Sequence, residues 1–256
     1  MKKIIAMAAC ASILAVTGCG QKNPQPSEGS EVGFALSFFQ KTNSSVNYDE
    51  NLLVSPYSAG VALSMLAEGA EGQTKAELDD ALNGCIFKAE DLGSNDSIVV
   101  KSANSVWVGD NFSIKNKYVS LLEKDYDAFV TTQNFLDPAT VHAINNWCSE
   151  NTAGKIKSIV DRLGSNDVMI LVNALYFNAP WLNPFDENVT SKAVFNGSLR
   201  KSEVDMMFRR GYMNYAEYQG CQLVELPYEG GRYSMFVLLP PAEMDMNEAV
   251  KYLGED

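Results

Sequence analysis

The sequence predicts an α+β chain. Segments with helical spacing fill its first half, and short strand-like segments separated by turn residues fill the part after Phe185. No regular strand–helix–strand alternation links them, which argues against a parallel doubly wound sheet. The most apolar run beyond residue 20 is 168–177 (VMILVNALYF), short and rich in β-branched and aromatic residues, with Asn173 its one polar side chain. That pattern reads as a central strand covered on both faces. The chain has 256 residues, 46% hydrophobic and 20% charged, which excludes a disordered polymer and leaves one large domain or two small ones.

In chain order, residues 31–40 carry apolar side chains at 32, 35, 38 and 39, a helical spacing. Ser55-Pro56 is a helix start: a serine can cap free N–H groups, and proline at the first helical position loses no hydrogen bond. Residues 59–67 read as a helix buried on most sides, ended by Gly69 and Gly72. Thr74-Lys75-Ala76-Glu77 has the form of a capping box, with Leu78, Ala81 and Leu82 on one face after it. Residues 98–108 read as a strand, 115–125 as a helix and 128–132 as a short strand. Asp137-Pro138 starts another helix with Val141, Ile144 and Cys148 on one stripe, and Gly154 stops it. Short strands are expected at 211–213, 223–226 and 233–239, and a last helix at 247–253.

The N-terminal 18 residues read as a targeting segment. Lys2 and Lys3 precede an apolar stretch, 4–16, that is too short for a transmembrane span of about 20 residues. The stretch ends in Val16-Thr17-Gly18-Cys19, which resembles a bacterial lipobox. That resemblance implies cleavage before Cys19 and lipid on its sulfur and amine; the competing reading is an ordinary secretory signal with an incidental Cys19. Residues 19–30 are rich in Gly, Ser, Pro and Gln and read as a flexible tether. The expected location is therefore the bacterial cell envelope, lipid-anchored at the periplasmic face or cell surface, or the extracellular space.

Composition excludes several function classes. Lys and Arg number 20 against 32 Asp and Glu, so no nucleic-acid or polyanion partner is expected. A single histidine, His142, rules out a site needing two imidazole ligands. Beyond Cys10 and Cys19 the cysteines are Cys85, Cys148 and Cys221, an odd number with no C-x-x-C spacing, so neither a disulfide framework nor a zinc site is expected. They read as small buried hydrophobes. No cofactor is expected. An enzyme finds little support: His142 and Cys148 are six residues apart and do not share a helical face, and no G-x-S-x-G is present.

Five ordered blocks carry a family resemblance. They are NLLVSPYS (51–58) with ALSM (62–65) and GAEGQT (69–74); SANSVWV (102–108); INNW (144–147) with TAGKI (152–156); LVNALYF (171–177) with Trp181, Phe185, Thr190 and Phe195; and LPY (226–228) with LLP (238–240). Together they resemble the serpins over residues 31 to about 250. The resemblance implies three β-sheets surrounded by helices. It also implies inhibition of a serine-type or cysteine-type endopeptidase by suicide loop insertion. An exposed loop is cleaved, stays acyl-linked to the protease and inserts into the main sheet as a new strand, releasing stored strain. The implied partners are a target protease, held in a covalent complex, and the membrane, reached by this chain through the lipid on Cys19.

Within that frame Ser55, Ser58 and Asn173 match the shutter positions under which the main sheet opens, and Trp181 matches the top of that sheet. Ser55 as a helix cap and Asn173 as a satisfied buried amide are compatible with that role. Trp181 reads equally as core packing, and Lys155 as a favourable charge after a helix end.

The resemblance stops short. Residues 31–256 match the N-terminal portion of the family's domain, and the C-terminal part with the reactive loop, its scissile bond and two strands of the second sheet is not recognisable. No catalytic residue and no bait residue can be named. The expectation is an incomplete serpin with an exposed strand edge at 168–177 and poor cover over 233–239, inactive as this chain. The alternative is a non-inhibitory serpin-fold envelope lipoprotein that binds a partner or ligand.

Overall fold

The computed structural model describes residues 30–45, 51–197, 200–244 and 246–253; the signal segment 1–18, Cys19 and the tether up to residue 29 lie outside them. The described chain falls into two compact units, one built from residues 30–38 and 53–178, the other from 39–45, 51–52 and 179–253.

The helix α1 (Glu31–Asn43) belongs to the first unit up to residue 38 and to the second from residue 39; it opens with the Ser30 hydroxyl accepting from the Gly33 N–H at 2.9 Å, and contributes Phe34 to the core of the first unit. The helix α2 (Pro56–Gly69) begins where Ser55-Pro56 predicts. The helix α3 (Gly72–Ala81) starts earlier than the sequence pattern indicated. Thr74 lies inside its first turn rather than at the cap, Glu71 stands at the cap with its carboxylate turned to Lys115 rather than capping the helix, and Glu77 accepts from Gln73 instead. The positive φ of Gly72 (61°) lets the chain turn straight from α2 into α3, which pulls the helix start forward.

A three-stranded sheet follows. Its order is β2 (Ala128–Gln133), β1 (Val99–Gly109), β3 (Met169–Asn178), with β1 parallel to β2 and antiparallel to β3. The expected central strand at 168–177 is therefore corrected in position. Among the described residues β3 lies at an edge and pairs only with β1, which is the central strand. The expectation that β3 is covered on both faces holds. Val106, Val108, Met169 and Leu171 pack with Val61 and Met65 of α2 on one face. Trp107, Val172 and Ile170 pack with Ile144 of α5 (Pro138–Asn151) on the other. Period-2 alternation along β1 and β3 sorts these side chains between the two helices.

The helix α4 (Asn116–Tyr126) buries Leu122 and Tyr126 and ends on Asp127, whose positive φ of 48° turns the chain into β2. The helix α5 is capped by Asp137, which accepts from the Ala139 N–H. Its buried stripe is Thr140, Ile144 and Cys148 at i, i+4, i+8; Val141 is only half-buried, which shifts the predicted stripe by one residue. Cys85, Cys148 and Cys221 are free and buried, as expected of small apolar side chains, and burial pushes the Cys148 thiol above its ordinary pKa.

The second unit holds a hairpin of β4 (Ser191–Asn196) and β5 (Lys201–Met206), which the sequence pattern did not reveal. It also holds a sheet β6 (Tyr215–Tyr218), β7 (Cys221–Pro227), β8 (Ser234–Leu239), and α6 (Met246–Lys251). The strand expected at 211–213 lies at Tyr215–Tyr218 instead, because the register is set by the tight turn through Gln219 and Gly220, both at positive φ, into β7. On β8, Met235, Val237 and Leu239 are 42–59% exposed, and no strand pairs with its outer edge among the described residues. Expected poor cover over 233–239 is thus observed along β8.

An exposed apolar edge without charge or proline invites edge-to-edge pairing. The 256-residue chain is expected to elute from a size-exclusion column ever earlier as its concentration rises, and Val237→Lys should suppress the shift. Constant elution of the unsubstituted chain across the series would contradict this.

Candidate functional site

The polar residues singled out from the sequence sit in the first unit, on the α2-facing side of the sheet. At the start of α2, the Ser55 hydroxyl accepts from the Ser58 N–H at 3.1 Å and donates to the Ser58 hydroxyl at 2.9 Å. Both serines are 3% exposed. Ser55 is therefore a cap, as its sequence context requires, and its hydroxyl is also committed to a second buried hydroxyl.

Asn173 lies directly opposite Asn104 across the β1–β3 ladder. Its amide nitrogen donates to Asn104 Oδ1 at 2.8 Å and to Ser102 Oγ at 3.0 Å. Asn104 in turn donates from Nδ2 to the Tyr126 carbonyl, the last residue of α4, at 2.7 Å. One amide pair thus joins the central strand, the edge strand and a helix end. Asn104, Ser102 and Asn173 share a face because they occupy alternate positions and a cross-strand pair. That face is also the α2 face, so Ser55 and Ser58 are on the side to which Asn173 points. The structure does not join Ser55 or Ser58 to Asn173 by a hydrogen bond; each group is closed on its own partners.

The network is not fully satisfied. Among the described residues Asn173 Oδ1 and the Tyr126 hydroxyl are buried without a hydrogen-bond partner, and the Tyr57 hydroxyl is buried beside Ser102 without a well-formed bond. Burial raises the pKa of both phenols, keeping them neutral. Tyr118, by contrast, donates to the Met65 carbonyl at 2.6 Å, with burial and then Glu68 pushing its pKa up to about 12. An orphaned acceptor in a buried amide network costs on the order of 1–3 kcal/mol. The site therefore holds an unfilled acceptor beside a strand that, among the described residues, pairs on one side only.

Ser102 and Asn104 were missed as members of this network. Asn104 stands in the quoted SANSVWV block, but only its register opposite Asn173 shows that the two amides meet. Trp181 lies in the second unit and is half-buried. It pairs with Tyr228 through an isolated antiparallel bridge, stacks on the Tyr228 ring at 4.4 Å and meets Phe185 edge-on at 6.2 Å. That is a packing role; in the described structure it has no part in the amide network. His142 is exposed on α5 while Cys148 is buried, so the two do not form a dyad. Lys155 is exposed just after α5. No group of three or more His, Cys, Asp or Glu that could hold a metal occurs among the described residues.

Residues 30–256 match the family model Serpin (serine protease inhibitor). The chain belongs to the serpin family. It is 31% identical over 253 residues to an uncharacterized serpin-like protein of Methanosarcina acetivorans, covering 90% of this chain and 60% of that protein. It is 33% identical over 209 residues to Antichymotrypsin-2 of Bombyx mori, covering 76% of this chain and 56% of that relative. Among solved serpin structures it is similar to tengpin, a thermophilic serpin, in its native and latent states. Each shows a TM-score of 0.78 at 26% identity, covering 91% of this chain and 62% and 66% of the two tengpin chains. The Manduca sexta serpin-12 matches at 0.76, with 28% identity, 86% of this chain and 66% of that one. The chain spans about half to three fifths of the length of the curated relatives it matches.

If the amide pair carries the strand junction, Asn104→Ala and Asn173→Ala should each destabilise the chain by about 1–3 kcal/mol in urea unfolding. A double-mutant cycle should give a coupling of about 1 kcal/mol. Strict additivity would show that the 2.8 Å contact contributes nothing of its own.

Proposed function

We infer that these residues form the sheet-opening portion of an inhibitor of serine-type or cysteine-type endopeptidases that acts by suicide loop insertion. The observation that carries the reading is the buried Asn104–Asn173 pair with the unfilled Asn173 Oδ1, next to an edge of β3 that no described strand covers. Strand addition to such an edge satisfies a row of backbone groups at once, which supplies a large favourable term for an incoming segment. Ser55, Ser58 and Asn173 are the shutter positions in this reading. The two serines hold the start of α2 closed on itself, so β3 can part from a neighbour without leaving α2 uncapped. That tengpin matches this chain equally well in its native and latent states supports a core common to both conformations of that relative. Trp181 keeps in this reading the top-of-sheet role that the family resemblance implies for it.

The 256 residues include no match to the family's bait bond. By itself the chain is expected to give no denaturant-resistant complex with trypsin or chymotrypsin. A chimera that appends the part of Bombyx mori Antichymotrypsin-2 beyond its match to this chain should trap a protease as an acyl complex that survives a denaturing gel. A folded chimera that is only turned over as a substrate would overturn the inhibitory reading.

The anchor belongs to the same proposal. Cys19 carries lipid and residues 20–30 hold the domain away from a bacterial envelope membrane, a reading supported by the Lys2/Lys3, apolar stretch and Gly18-Cys19 order. Cells expressing the chain should incorporate labelled palmitate into it, and Cys19→Ala should abolish the label and release the protein from the membrane fraction. Equal labelling of the variant would refute the anchor.

A further inference from the structure

Between β5 and β6 the chain runs through Met207-Phe208-Arg209-Arg210-Gly211-Tyr212-Met213. Among the described residues these seven make no backbone hydrogen bond: the β4–β5 ladder ends at Met206, and the next main-chain bond is accepted by the Asn214 carbonyl. Phe208 is 56% exposed and Tyr212 fully exposed, and every residue from Arg210 to Gly220 is open to solvent. The two arginines differ. Arg209 is half-buried, and its guanidinium donates to the Asn183 carbonyl at 3.0 Å; Arg210 is exposed and makes no hydrogen bond or ion pair among the described residues.

An endopeptidase binds its substrate as an extended strand several residues long, so cleavage of a folded protein requires backbone whose hydrogen bonds need not first be broken. Residues 207–213 meet that requirement. A basic side chain free to leave the surface, followed by a glycine without a side chain to obstruct the far side of the bond, suits an enzyme whose primary pocket is acidic. The segment 152–163 is the informative contrast, since it is also irregular and carries Lys155, Lys157 and Arg162. There the backbone is pinned: the Ile159 and Val160 N–H groups donate to Asn145 Oδ1 at 2.8 and 3.0 Å, and the Ile156 N–H donates to Thr152 Oγ1 at 3.1 Å. Ile159, Val160 and Leu163 are also packed against the Trp107–Ile144 cluster.

We propose that Arg210–Gly211 is a specific cleavage site for trypsin-like endopeptidases, separate from any bait loop, and that the cut chain remains one particle. Hydrolysis breaks the Arg210–Gly211 amide, water giving its hydroxyl to the Arg210 carbonyl carbon and its proton to the Gly211 nitrogen. The two pieces stay joined across the cut. The Leu182 N–H donates to the Pro227 carbonyl and the Glu229 N–H to the Pro180 carbonyl, both at 2.9 Å, around the stacked Trp181 and Tyr228 rings. At the far end, Gln40 Nε2 donates to the Leu253 carbonyl at 3.0 Å and to the Val250 carbonyl at 3.3 Å.

The test is limited digestion of the native chain with trypsin, read by mass spectrometry and by native size exclusion. The first products should be a piece ending at Arg210 and a piece beginning at Gly211, co-eluting on the native column and separating in a denaturing gel. Arg210→Gln should slow the first cut at least about tenfold, and Gly211→Pro, which leaves the arginine in place, should do the same. First cleavage at Lys155, Lys157 or Arg162, an undiminished rate in both variants, or separation of the pieces on the native column would overturn the proposal. None of these outcomes depends on whether the chain or a chimera traps a protease.

Discussion

The first unit is organised around one cross-strand amide pair. Asn104 and Asn173 face each other in the β1–β3 ladder, and Asn104 reaches on to the carbonyl that ends α4. A buried amide is stable only when its donors find acceptors, so this pair fixes register as well as contact. Slipping β3 by one residue would turn Asn173 toward the Trp107–Ile144 cluster and bring Leu171 and Met169 out of the α2 core. The pairing of an edge strand to its neighbour is thereby specified by a few polar atoms within an otherwise apolar layer.

The same layer shows why α2 and α5 have different compositions. The α2 side must admit hydroxyls and amides, and α2 accordingly brings Ser58 and Ser64 as well as Val61 and Met65; the Ser64 hydroxyl accepts from the Phe87 N–H. Gly60 is required there because a Cβ would sit 2.6 Å from the Phe87 ring. The α5 side is closed by Ile144 and by the pinned loop after the helix, where one asparagine, Asn145, ties down two backbone N–H groups and one carbonyl. A buried polar network on one side and apolar closure on the other leave β3 well covered on its faces and, among the described residues, paired along its length with β1 alone.

The second unit is built differently. Its strands are short, and β8 leaves Met235, Val237 and Leu239 exposed on one face. What holds it is local: the stacked Trp181–Tyr228 pair with its two flanking backbone bonds, and the Gln40 amide bridging to the carbonyls of Val250 and Leu253. The segment 207–213, with no main-chain bonds of its own, is where this unit has least to lose.

Much of this was legible in the sequence, because local chemistry decided it. Ser55-Pro56 and Asp137-Pro138 start helices, since a short side-chain acceptor and a ring that fixes φ suffice to begin one. The alternation at 98–108 and the apolar run at 168–177 gave both long strands, and the ordered motif blocks gave the family. The start of α3, the β4–β5 hairpin and the position of β6 were misread or missed, because turns at Gly72 and at Gln219-Gly220 reset what periodicity alone implied. The exposed edge at 168–177 followed from the family resemblance and is observed among the described residues, but only tertiary structure decided that β1 is the central strand and that Asn104 rather than either serine is the partner of Asn173. The physical reason is that strand order and register join residues about seventy positions apart, a distance over which no local propensity carries information.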